Sequence, residues 1–72
     1  MKLVGCVESV KSVTNKRGQA RDVVQVIENV GGRCYLYDLY VDAGRFRAGD
    51  GVELDVVWDV RYRSLRLADA GQ

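Results

Sequence analysis

From Val52 to Val60 every second residue is large and apolar: Val52, Leu54, Val56, Trp58 and Val60. Glu53, Asp55, Val57 and Asp59 stand between them. Side chains on a strand point alternately to opposite faces, so this pattern predicts a strand with one face in a core and the other mostly in water. No segment shows the spacing of an amphipathic helix. β-Branched and aromatic residues crowd the apolar stretches, and glycine-containing clusters interrupt them at intervals typical of a barrel or sandwich.

Four further strands follow from the same reading. The first runs from about Lys2 to Thr14, and its apolar parity breaks between Val10 and Val13. Those two are three residues apart, so a bulge or a strong bend is expected there. Asn15-Lys16-Arg17-Gly18-Gln19 is a polar turn, with Gly18 the residue able to take a positive φ. The second strand, Arg21 to Glu28, is apolar on both faces (Val23, Val24, Val26, Ile27) and is expected to be covered on both sides. After Asn29-Val30-Gly31-Gly32 comes a third strand, Arg33 to Val41. It carries Tyr35, Tyr37, Leu39 and Val41 on one face and Cys34, Leu36, Asp38 and Tyr40 on the other. A glycine-rich connection leads to the alternating fourth strand, and a tight return near Tyr62-Arg63-Ser64 leads to a short fifth, Leu65-Arg66-Leu67.

With 72 residues there is room for one domain, expected to span residues 1–72. Five strands, a bent first one and no helix predict an all-β fold, a small five-stranded antiparallel Greek-key barrel of OB-like type. An SH3-like barrel is the alternative. The segment Phe46-Arg47-Ala48-Gly49-Asp50-Gly51-Val52-Glu53-Leu54, an aromatic anchor and a Gly-Asp turn launching a strand, suits either.

The composition excludes more than it assigns. The chain is 47% hydrophobic and 29% charged, as globular proteins are. No apolar run approaches the roughly 18 residues of a membrane helix. The N-terminus turns polar too early for a secretory signal, so a cytoplasmic protein without membrane contact is expected. Cys6 and Cys34 lie in apolar stretches and read as small core residues rather than a disulfide framework. There is no histidine, which removes a Cys-His pair and the usual zinc sites. Glu53, Asp55 and Asp59 share one exposed strand face, where general acid–base work lacks a pocket. The reading is a non-enzyme with no cofactor, no metal and no small-molecule substrate.

What remains is charge distribution. The net charge is only +1. Basic residues nevertheless gather at turns: Lys16, Arg17 and Arg21 around the first hairpin, Arg45 and Arg47 in the glycine-rich connection, and Arg61, Arg63 and Arg66 around the last. Single-strand binders combine a positive groove with flat side chains on which bases stack. Tyr35, Tyr37 and Tyr62 supply such side chains, the last between two arginines in Arg61-Tyr62-Arg63. Arginine outnumbers lysine, which suits stacking and phosphate forks.

From Val13 to Ala70 the order of these features resembles the small single-stranded-DNA-binding proteins of filamentous phages. The matching features are the basic first hairpin Asn15 to Gln19, Gln25-Val26-Ile27-Glu28, the tyrosine-rich third strand, Phe46 to Asp50, and Leu65-Arg66-Leu67-Ala68. The resemblance implies an OB-fold homodimer that coats single strands with little sequence preference. On that basis Lys16, Arg17 and Arg21 would contact phosphates, Tyr35 or Tyr37 would stack on bases, and the last hairpin, Arg61 to Arg66, would mediate dimer contacts or extend the basic groove. Taken with the charge pattern, the expected phosphate contacts on single-stranded DNA or RNA are Lys16, Arg17, Arg21, Arg61 and Arg63, and the expected stacking residues are Tyr35, Tyr37 and Tyr62. The acidic face of the fourth strand would then receive the basic hairpins of a neighbouring subunit. The competing reading is an adaptor or assembly barrel that uses its surplus valines for protein contacts, and it expects the tyrosines to be buried.

Overall fold

The computed structural model describes residues 1–61 and 63–68 and holds five strands in a closed barrel. They are β1 (Lys2–Thr14), β2 (Ala20–Val30), β3 (Arg33–Asp42), β4 (Gly51–Asp59) and β5 (Ser64–Leu67). Around the barrel the order is β1-β2-β3-β5-β4, closing back on β1. The all-β, OB-like expectation is thus realised. All ladders are antiparallel except β3 with β5, which run parallel through the single pair Leu39 and Leu65.

β1 makes closure possible because it serves two neighbours. Lys2 to Cys6 pair with β4 and Cys6 to Thr14 pair with β2. A register shift lies between Val7 and Ser9. Before it Leu3 and Val7 are buried; after it the inward parity passes to Val10. The sequence placed the break between Val10 and Val13, and the structure moves it upstream to Glu8. Val13 lies opposite Arg21 on the outer side, and its half-covered state there needs no second bulge. The main-chain groups that the shift frees find partners in the β3–β4 connection. The Val7 amide donates to the Asp50 carbonyl (2.8 Å) and the Gly49 amide donates to the Val7 carbonyl (2.8 Å).

The β2–β3 hairpin closes on Gly31 and Gly32, both at positive φ (58° and 80°). A two-residue turn of this kind matches strand twist only with left-handed residues at both positions, which glycine adopts without penalty. The ladder therefore runs unbroken from Arg21–Asp42 to Val30–Arg33. Its distal part projects beyond the barrel and accounts for a long dimension of 40 Å against 24 and 19 Å.

Inward residues from every strand meet in one core. Leu3 and Val7 come from β1, Val24 and Val26 from β2, Leu39 and Val41 from β3, Val56 from β4, and Leu65 and Leu67 from β5. Each such side chain stabilises the fold by about 1.5–3 kcal/mol relative to exposure. Phe46 packs half-buried against this cluster. A single polar residue joins the core among the described residues. Asp22, 3% exposed, accepts hydrogen bonds from the Ser12 hydroxyl and the Gly44 amide, both at 3.0 Å. It ties the start of the β3–β4 connection to the barrel wall.

Two expectations are corrected. Cys6 and Cys34 are exposed rather than core residues, because both fall on outward positions, opposite Ile27 and Asn29. Trp58 and Val60 share the parity of Val56 but are 58% and 78% exposed. Trp58 pairs with Leu65 at the last row where β5 still meets β3, with the barrel open beyond it, and Val60 lies past the end of β4. Parity still aims them inward, but no wall remains for them to meet.

Candidate nucleic-acid interface

The first basic turn is tied by hydrogen bonds to Asn15. The Asn15 side-chain oxygen accepts from the amides of Arg17 and Gln19 (2.9 Å each), and the Asn15 amide donates to the Gln19 carbonyl (3.0 Å). Asparagine suits this role because its carbonyl can satisfy main-chain donors two residues on. Lys16 and Arg17 are left exposed at the tip. Arg21 differs from them. Its guanidinium pairs with Asp42 at 2.9 Å and stacks 4.9 Å from the centre of the Tyr40 ring. Its Nε is buried without a hydrogen-bond partner. Arg21 is thus part of a fixed Arg–Asp–Tyr cluster on the outer face, with one donor unused.

The second basic turn, between β4 and β5, lies toward the other end of β3. The Arg61 amide donates to the Asp59 carboxylate at 2.9 Å, bracing the turn. Arg61 and Arg63 are exposed. Arg63 adopts a left-handed conformation (φ 52°), unusual for a residue other than glycine and costing about 1–2 kcal/mol. Tyr62, assigned a stacking role from sequence, lies outside the described residues, as does Ala70 at the end of the resembling stretch.

Between these turns the register lays out the outer face of β1, β2 and β3. Its rows are Val13–Arg21–Asp42, Lys11–Val23–Tyr40, Ser9–Gln25–Asp38 and Cys6–Ile27–Leu36. From Asp42 to Asp38 is four residues, roughly 13 Å at strand rise. The basic turns therefore flank a face a few nucleotides wide. Tyr35 and Tyr37 point to the inner parity of β3. Tyr37 is half-buried and packs on the core, whereas Tyr35 lies beyond the barrel on the projecting hairpin and is exposed.

One feature was missed by sequence reasoning. Beyond the pair Leu39–Leu65, β3 diverges from the β4–β5 turn and leaves an open cleft of about 300 Å³. Leu36, Tyr37 and Asp38 form one wall, and Trp58, Arg63, Ser64 and Leu65 the other. Its lining includes the exposed Trp58 together with Arg63 and Asp38. The signal available in sequence was the placement of Trp58 one residue before the end of β4.

The acidic face of β4 is partly neutralised within the chain. Lys2 Nζ lies 3.1 Å from Glu53, and Arg66 Nε lies 3.4 Å from Asp59. The hydrogen bond that Lys2 donates to Glu53, the charge of Glu53 and that of Asp55 hold the Lys2 ammonium above its usual range. Among the described residues no group of three or more histidine, cysteine or acidic side chains could hold a metal ion. No protein family, curated protein or solved structure matches the chain.

Proposed function

We propose that this barrel binds single-stranded nucleic acid without catalysis, laying the strand across the outer face of β2 and β3 between its two basic turns. The observation that carries the reading is the exposed Trp58 in the cleft at the β4–β5 turn, whose lining also includes Arg63. A large aromatic side chain left in water is costly for a domain this small, and with a cation in the same lining it provides the platform-plus-charge pairing that single-strand binding uses. Lys16 and Arg17 supply phosphate contacts at the far end, and Arg61 and Arg63 at the near end. Arg21 contributes positive charge to that face rather than a direct phosphate contact, because Asp42 and Tyr40 hold its guanidinium and its Nε is buried. The resemblance to phage single-stranded-DNA-binding proteins supports DNA as the ligand and a homodimer as the working unit.

A second reading has its own observation. Val30, Leu36 and Val60 are exposed apolar residues without a stacking role, and they favour an assembly barrel whose projecting hairpin meets another protein.

Fluorescent oligothymidine titrated into the protein at about 50 and 200 mM salt tests the first reading. Binding should weaken steeply between the two, with a logarithmic slope of about 0.7 per phosphate contacted. Absence of binding at the lower salt would overturn it and leave the assembly reading.

A further inference from the structure

Of the three described tyrosines, Tyr35 and Tyr37 share the inner parity of β3 with the buried Leu39 and Val41, and Tyr40 alone stands on the outer face. Its ring is held from one side. The Arg21 guanidinium lies 4.9 Å from the ring centre, and Asp42 fixes that guanidinium from 2.9 Å. Ring and guanidinium therefore form a stack that is ordered before any ligand arrives, which lowers the cost of adding another layer to it. Tyr40 remains 36% exposed, so aromatic surface is left for a second flat group.

The register fixes what surrounds the ring. Lys11, Val23 and Tyr40 form one row across β1, β2 and β3. All three are on the outer parity, because Val10, Val24 and Leu39 beside them face the core. Two interstrand spacings separate Lys11 from Tyr40, roughly 10 Å, which is about the reach of one nucleotide from its phosphate to its base. Val23 is half-buried and forms an apolar floor between them.

Charge across this row is unequal. Lys11 is exposed and has no ion-pair partner among the described residues. On β3 the outer positions on either side of Tyr40 are Asp38 and Asp42, and Asp38 too has no ion-pair partner among the described residues. An ammonium attracts phosphate and a carboxylate repels it. A strand on this face is thus turned with its backbone over β1 and its bases toward β3.

We propose, on the single-strand reading above, that the row Lys11–Val23–Tyr40 is a nucleotide site in which a base stacks on Tyr40 over Val23 while its phosphate meets Lys11. Arg21 is a positioning residue there, holding the ring ready. The site takes any base, because every base has a flat face to stack.

The test compares oligothymidine with an abasic strand of equal length, which keeps every phosphate and carries no base. Both are titrated into the parent and into Tyr40→Leu, which keeps an apolar side chain on β3 and removes the ring. Tyr40→Leu should weaken oligothymidine binding about tenfold, as for one lost stacked base, with abasic binding within about twofold of the parent and the salt slope unchanged. Tyr40→Phe keeps the ring and should bind both strands as the parent does. Lys11→Ala should weaken both strands alike and lower the salt slope by about 0.7. Equal losses on the two strands in Tyr40→Leu would overturn the proposal, since the ring would then only hold Arg21 and the sheet in place. Oligothymidine binding that Tyr40→Leu leaves unchanged would also overturn it, while the single-strand reading stands. Should Tyr40→Leu fail to fold, the parent is irradiated with a strand carrying one 5-iodouracil, and the adduct is mapped by mass spectrometry. Coupling at Tyr40 is expected, and its absence would overturn the site. Failure of the parent to bind any strand at low salt would remove the single-strand reading and this site together.

Discussion

Asp22 is a buried carboxylate whose two oxygens divide between two tasks, and replacing it separates charge from hydrogen bonding. Oδ1 takes the Ser12 hydroxyl and Oδ2 takes the Gly44 amide. In Asp22→Ala both bonds vanish and the Gly44 amide loses its partner in the β3–β4 connection. Hydrogen bonds to a charged group contribute roughly 1.5–3 kcal/mol each, and an orphaned donor costs about 1–3 kcal/mol. Removing a charge from a nearly buried site returns part of this. The net expected loss is about 2–4 kcal/mol, a large share of the roughly 4–11 kcal/mol that a chain of this length possesses. Asp22→Asn should behave differently. Its carbonyl can still accept from Gly44, and its amino group can donate to Ser12, whose hydroxyl is both donor and acceptor. Only charge assistance is lost, about 1 kcal/mol. Thermal unfolding followed by far-ultraviolet circular dichroism reads the difference, at about 4–8 °C per kcal/mol for a domain of this size. Asp22→Ala should also speed hydrogen exchange at the Gly44 amide. Equal destabilisation by both variants, or an alanine variant within about 0.5 kcal/mol of the parent, would refute the reasoning.

Other expected outcomes follow from single positions. A Cβ on Gly5 would meet the Ile27 carbonyl oxygen inside contact distance and lie 3.2 Å from Val26 Cγ1, so Gly5→Ala must shift the β1–β2 backbone. It should destabilise by about 3 kcal/mol in urea titrations, and a neutral result would show that the strands part more easily than the structure suggests. Arg63→Gly should raise stability by about 1 kcal/mol, because it relieves the left-handed backbone, while weakening oligonucleotide binding. A variant that loses both stability and binding would contradict this. Replacing Lys16 and Arg17 together with alanine should lower the salt slope of oligothymidine binding by about 1.4, two phosphates at 0.7 each, and leave the melting temperature nearly unchanged.

The fold was legible in sequence because alternation is a local signal. Val52, Leu54 and Val56 point inward as their spacing requires, and Tyr37, Leu39 and Val41 share the inner face of β3. The two-glycine turn and the basic first hairpin also lie where turn chemistry placed them. Parity tells which way a side chain points and not whether a wall stands there. That is why Trp58 and Val60 read as core residues and emerge at an open rim. Cys6 and Cys34 were misplaced for a related reason, since small apolar side chains on a one-sided strand carry no sign of which face is wet. The cleft was illegible because it arises from the divergence of β3 and β5, segments more than twenty residues apart that share one pair. Likewise, nothing local in Glu53 or Asp59 announces that Lys2 and Arg66 partly neutralise the β4 face.

Trp58 is the only tryptophan in the chain and sits exposed in the proposed binding cleft, so its own emission reports on the central claim. The measurement is its fluorescence during titration with unlabelled oligothymidine at about 50 mM salt, with a return to higher salt at saturation. Stacking of a base on the indole predicts quenching that grows in step with binding and reverses as salt rises. Binding seen by an independent method with no change in Trp58 emission would contradict the account, because the strand would then cross the barrel without touching the cleft.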